Sequence, residues 1–256
     1  MKNSFSTENP SLRNSSSKGF TLMETVIAIG VLAVLLTGFI AVFTPAAQGI
    51  KRSINSQQAD RLATTLEREL VTLRSGQNNG TAATGFEKAF NWIKAAHSPS
   101  EAIFVYQYRG DPSKPRTDGT PTPVPSIDGQ PGKGYTVQSV ARRASETTEF
   151  QADLKAIVGA IFYVKPTQLI YKPDPDDSTK TILELGTIGT IENSKDKTPA
   201  NAASDYTDAV IAFSAEFYSV PSKAESYLIG ANKAQFEKRF NNAKRPVFSR
   251  NLAVRR

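Results

Sequence analysis

Between Thr25 and Ile50 the chain carries no charged residue. These 26 positions are mostly Val, Ile, Leu, Ala and Phe, with Gly30 and Gly38 among them. At ~1.5 Å per residue a helix of that length reaches roughly 39 Å. A bilayer core is about 30 Å thick and takes about 20 such residues. A core helix of a soluble domain rarely runs so far without a charge, so the segment reads as a membrane-inserted helix. Small residues such as Gly30 and Gly38 let helices approach closely in lipid. At the lip of the run stands Glu24. A carboxylate in hydrocarbon is costly, so its position needs a reason.

The remaining composition narrows the field. Hydrophobic residues are 39% of the 256, ordinary for a chain that folds largely in water. There is no cysteine, which excludes disulfides, thiolate metal sites and a cysteine nucleophile. The net charge of +7 permits anionic partners without demanding them. Lys2, Arg13 and Lys18 flank the run on one side, and Lys51, Arg52, Arg61 and Arg68 on the other, so basic residues alone do not orient it. A removed signal peptide is the alternative, with "TPAAQG" (Thr44–Gly49) as a weak cleavage site near Ala47. Signal-peptide apolar runs are about 7–15 residues, shorter than this one.

The junction "KGFTLMET", Lys18 to Thr25, resembles the prepilin leader junction of type IV pilins and type II secretion pseudopilins. In that pattern a basic leader ends in Gly, then comes Phe, three apolar or small residues, Glu and an apolar helix. Gly19, Phe20 and Glu24 take those places. The resemblance implies that a prepilin peptidase cuts between Gly19 and Phe20 and methylates the amine of Phe20. It implies a cytoplasmic leader, a helix retained in the inner membrane and a periplasmic domain. It also implies partners: other pilin-like subunits and their assembly platform. Glu24 would then pair with the Phe20 amine of a neighbouring subunit inside a filament, because a buried charge is tolerable only with its partner. A glutamate merely capping the helix N-terminus is the simpler role. The chain departs from the family in its 19-residue leader with Glu8, in Ala41 where a proline often stands, and in lacking cysteines. The layout also looks similar to pilin-like cassette proteins of the Verrucomicrobia.

Four regions follow: leader 1–19, transmembrane and assembly helix 20–47, amphipathic helix 48–76 and a β-rich domain 77–256. Ile50, Ile54, Leu62, Leu66, Leu70 and Leu73 form a stripe at near-helical spacing, with Gly76 as a stop and Pro45 as a kink. Gly85–Pro99 reads as a helix with Phe86, Phe90 and Ile93 on one face. Strands are predicted at 102–108, 135–141, 157–164, 168–171, 181–185 and 209–220, from β-branched and aromatic runs bounded by turn residues. The Pro/Gly-rich stretch 110–134 is predicted to hold no regular structure. Helix followed by strands gives an α+β fold, a long N-terminal helix on a mainly antiparallel sheet.

Candidate chemistry is sparse. His97 is the one histidine and stands at a helix end, a structural place. No catalytic constellation accompanies it, so no enzyme activity and no cofactor is expected. Asp174, Asp176 and Asp177 in "KPDPDDS" are weak calcium candidates, outweighed by a solvated turn. The C-terminus mixes basic residues with Phe236, Phe240 and Phe248. That mixture suits nucleic acid, or more simply a final helix and strand with charges facing water. The best reading is a minor pilin-like subunit of a pilus or pseudopilus. The rival is a single-pass anchored binding domain that never polymerises.

Overall fold

A computed structural model describes residues 19–75, 82–125, 134–177 and 179–256. The chain divides into two units, one ending at Ile50 and one running from Lys51 to Arg256. The helix α1, Leu22–Val71, contributes to both. It runs as one element through Pro45 and Gly49, the long N-terminal helix that the sequence predicts. It also ends at Val71, before the predicted stop at Gly76, which lies outside the described residues.

In the second unit the buried part of α1 is short. Ala59, Leu62, Ala63, Leu66 and Leu70 are buried, while Ile50, Ile54 and Leu73 are exposed. Half of the predicted stripe is therefore core, and its ends are not. The seam works by mixing small and large side chains: Ala59 and Ala63 let the backbone come close, and the leucines fill the space beyond.

The helix α2, Gly85–Ala95, forms as predicted. Its start is set by a capping box: the Thr84 hydroxyl accepts from the backbone N–H of Glu87, and the Glu87 carboxylate accepts from the Thr84 N–H. Phe86, Phe90 and Ile93 are buried, and Trp92 joins them. Gly85 is required by packing, because a Cβ there would overlap the Val71 carbonyl at the end of α1.

Seven strands form one antiparallel sheet: β1 (Ile103–Pro115), β2 (Pro121–Pro123), β3 (Thr136–Arg143), β4 (Ile157–Pro173), β5 (Thr181–Leu185), β6 (Val210–Ser219) and β7 (Phe248–Arg255). The path runs β2-β1-β4-β6-β7, with β3 paired to β1 and β5 to β4. Three further helices lie between strands: α3 (Thr147–Leu154), α4 (Glu225–Leu228) and α5 (Lys233–Asn241). The fold is α+β, a long N-terminal helix packed on a mainly antiparallel sheet.

Alternation along the strands sorts the core into two faces. Ile103, Val105, Phe162, Val164, Phe213, Phe217, Leu252 and Val254 point to the α1 and α2 side. Phe104, Tyr106, Tyr163 and Tyr218 point the other way, against Phe150 of α3 and Phe236 and Phe240 of α5. The second helical layer was not foreseen beyond a final helix near the C-terminus. A bulge in β4 sets three residues, 159 to 161, opposite Tyr106, since Val105 pairs with Phe162 and Gln107 with Val158. Gly159 takes φ +75° there, and a side chain would strike Gln58 of α1. The Gln58 amide oxygen instead accepts from Ala160 N at 3.3 Å. The bulge thereby ties the helix to the sheet.

Of the stretch 110–134, residues 126–133 lie outside the described residues, and 110–125 is more ordered than predicted. β1 continues to Pro115 and pairs with β2 through a turn at Arg116–Thr120. Gly119 supplies φ +77°, and the Asp118 carboxylate accepts from the Thr120 N–H and hydroxyl at 2.9 and 2.6 Å. Prolines are tolerated because this hairpin arm demands few ladder donors. Likewise 157–164 and 168–171 are one strand, β4.

Candidate functional site

The N-terminal site begins with Thr21. Its hydroxyl accepts from the Glu24 N–H at 3.2 Å and its carbonyl from the Thr25 N–H at 3.1 Å, so Thr21 is the N-cap of α1. Glu24 occupies the third helical position, where its carboxylate would complete a capping box by accepting from Thr21 N. It does not: the Glu24 carboxylate has no hydrogen bond or ion pair among the described residues. The simple capping role is therefore filled by the threonine hydroxyl, leaving the acid available. The sequence reading overlooked Thr21, although the T-x-x-E spacing was there to be seen.

Beyond Glu24 the helix is apolar and bare. Every residue from Gly19 to Ile54 is exposed, and Phe20 itself is 84% exposed. Nothing lies within 4 Å of the position a Cβ would take at Gly19, Gly30 or Gly38. The threonine hydroxyls inside the run are satisfied by the helix itself: Thr37 Oγ1 donates to Ala33 O at 2.8 Å and Thr44 Oγ1 to Ile40 O at 2.9 Å. Internal satisfaction of this kind is what hydrocarbon requires. Among the described residues one helix is long and apolar enough to cross a membrane.

The other sequence candidates do not converge on chemistry. His97 Nδ1 lies 2.8 Å from Lys94 O at the end of α2. Asp174 Oδ1 accepts from Asp176 N at 2.9 Å, and Asp177 is occupied by Thr179 and, at 3.1 Å, by Lys180. Those Thr179 and Lys180 bonds hold the Asp177 carboxyl below the usual range. They make a turn-stabilising acid of it. Among the described residues no three acidic or histidine side chains gather as a metal site. Phe236 and Phe240 are 2% and 1% exposed, so neither ring can stack a base, while Phe248 is half-buried.

A buried charge cluster went unseen in the sequence. Arg142, on β3, is wholly buried. It meets Asp153 at 2.7 Å, Asp118 at 2.9 Å and Glu146 at 3.6 Å. Arg116 reaches Asp153 at 2.9 Å and the Tyr106 hydroxyl donates to Asp153 at 2.7 Å. Burial opposes the Arg142 charge, yet the surrounding Tyr106, Asp153 and Asp118 raise its pKa overall. Asp118 is desolvated too, but Thr120 and Arg142 hold its carboxyl below the usual range. The cluster binds the β1–β2 turn to β3 and α3. It is a brace with every partner inside the domain.

A second buried cation, Lys88 of α2, donates to Glu69 O at 2.8 Å and Thr72 O at 2.5 Å. It thereby satisfies carbonyls at the end of α1. Burial pushes its pKa down to about 8.

The family model for the prokaryotic N-terminal methylation motif matches residues 14–40. The match supports a type IV pilin-like prepilin. With the one apolar helix among the described residues, the motif fits a single-pass, membrane-anchored protein. No curated protein and no solved structure matches the chain.

Proposed function

We propose that this protein is a minor subunit of a pilus or of a secretion or uptake pseudopilus, assembled through α1. The observation that carries the reading is Glu24: an acid at the head of a bare apolar helix, four residues after the Phe20 of the methylation motif, whose capping duty Thr21 has taken over. Cleavage after Gly19 creates a cationic amine at Phe20. In a bundle of such helices the amine of one subunit and the carboxylate of the next neutralise each other, and the pairing fixes their axial register. The leader faces the cytoplasm and the domain from Lys51 onward faces the periplasm. The domain serves recognition and packing, with no catalysis.

The chain has no native cysteine, so introduced cysteines are unique crosslinking sites. Cysteines at Val31 and Leu35, oxidised in membranes that contain the assembly machinery, should give dimers and ladders. A protein that stays monomeric at every position of the helix would favour the solitary anchored domain instead.

A further inference from the structure

The cleft between α5 and the β4–β6 face has a volume of about 320 Å³ and is lined by Tyr163, Tyr218, Arg239, Lys244 and Arg245. Arg239 sits in the last turn of α5; Lys244 and Arg245 follow in the connection to β7. None of the three makes an ion pair or hydrogen bond among the described residues. Compensation of the helix dipole accounts for Arg239, but not for two cations beyond the helix end.

The floor is built rather than incidental. Tyr163 is 1% exposed and stacks on Tyr218 with ring centroids 5.1 Å apart. The Tyr218 hydroxyl donates to Glu216 at 2.8 Å. The Tyr163 hydroxyl has no hydrogen-bond partner among the described residues. That leaves the hydroxyl a free donor in the lining of the cleft. Burial pushes Tyr163 up to about 12, so it remains a donor at neutral pH, with Arg239 pulling the other way. Glu216 is engaged by Tyr218 directly, and the Lys165 charge interacts with it.

We propose that this cleft is a binding site for a phosphate group, with the Tyr163 hydroxyl donating to one oxygen and Arg239, Lys244 and Arg245 supplying the counter-charge. Three cations lining one cleft exceed what a carboxylate needs and match a phosphate mono- or dianion. The volume admits the group with a small body attached, as in a phosphorylated sugar or a lipid headgroup. The site is independent of the assembly reading, since it uses no residue of the apolar helix.

The test is calorimetric titration of inorganic phosphate into the full chain in neutral maltoside micelles, beside acetate at equal ionic strength. Saturable phosphate binding is expected. It should weaken about 5- to 10-fold in Tyr163→Phe, which keeps the ring and loses one charge-assisted hydrogen bond. Arg239→Ala should weaken it at least as much, and Arg255→Ala, an exposed arginine outside the cleft, should leave it unchanged. Unaltered binding by Tyr163→Phe, equal loss in Arg255→Ala, or equally tight acetate would each overturn the proposal. Repeating the titration in phosphatidylglycerol nanodiscs assigns the source. Occlusion of the site there indicates the lipid headgroup, and retained binding a soluble phosphorylated ligand; either result upholds the site.

Discussion

Replacing Arg142 by methionine tests whether the buried charge cluster holds the domain together. The substitution keeps length and apolar bulk but removes the cation that lies within 2.9 Å of both Asp153 and Asp118. Removing one member of a buried ion pair typically costs ~3–5 kcal/mol. Arg116 remains on Asp153 at 2.9 Å, so the lower end, about 3 kcal/mol, is expected. That is a large share of the ~5–15 kcal/mol by which ordinary domains are stable. Trp92 is the one tryptophan and is fully buried, so its fluorescence reports unfolding of this domain in urea. The deficit should also shrink in acid. Asp118 is held below its ordinary 3.8, so its contribution is complete above that pH and is lost as pH falls through the folded value. Once protonated, it no longer needs Arg142. A double change, Arg142→Met with Asp153→Asn, should recover part of the loss. A single variant within about 1 kcal/mol of wild type at pH 7 would refute the reasoning, because Arg116 alone would then suffice for both Asp118 and Asp153.

Three shorter expectations follow. Lys88→Met should destabilise by about 1–3 kcal/mol at pH 7 by stranding the Glu69 and Thr72 carbonyls. In the wild type Lys88 titrates at about 8 against an ordinary 10.5. The unfolded state thus binds more protons between those values, and wild-type stability should rise with pH across that window relative to the variant. Glu24→Val should preserve membrane insertion and cleavage while reducing recovery in sheared or crosslinked filaments; normal recovery would remove the pairing role. A chain starting at Ser53 should stay soluble and folded, since Ala59 is the first buried residue of α1; aggregation of every such truncation would show that the apolar half is needed for folding.

The N-terminal apolar segment was the most legible part of the sequence, because an uncharged run and a spaced Gly-Phe-Glu pattern need no tertiary information. β5 was predicted with its observed bounds, 181–185, and α2 within a few residues, since both have clear periodicity between turn residues. The misses have physical causes. In 110–134 the count of prolines outweighed Asp118-Gly119, a dipeptide that favours a hairpin turn. α3 has only Phe150 and Leu154 to mark an apolar side, and its burial is created by Tyr106 and Phe104 across the sheet. Ile54 continues the stripe of α1 by spacing, yet it is exposed; periodicity tells which face is apolar and not where its partner ends. Arg142, Asp118 and Asp153 read as surface charges because they are 11 to 35 residues apart, and only the strand pairing brings them together.

The central claim is that Gly19 and Phe20 form a processing junction that prepares the helix for assembly. Intact-mass and N-terminal peptide spectrometry of the membrane-extracted protein tests it most directly. The account predicts a chain beginning at Phe20 with one methyl group on its amine, and accumulation of the unprocessed form when Gly19 is replaced by a bulky residue. A mature protein that retains Met1, or one that begins near Gln48, would contradict it.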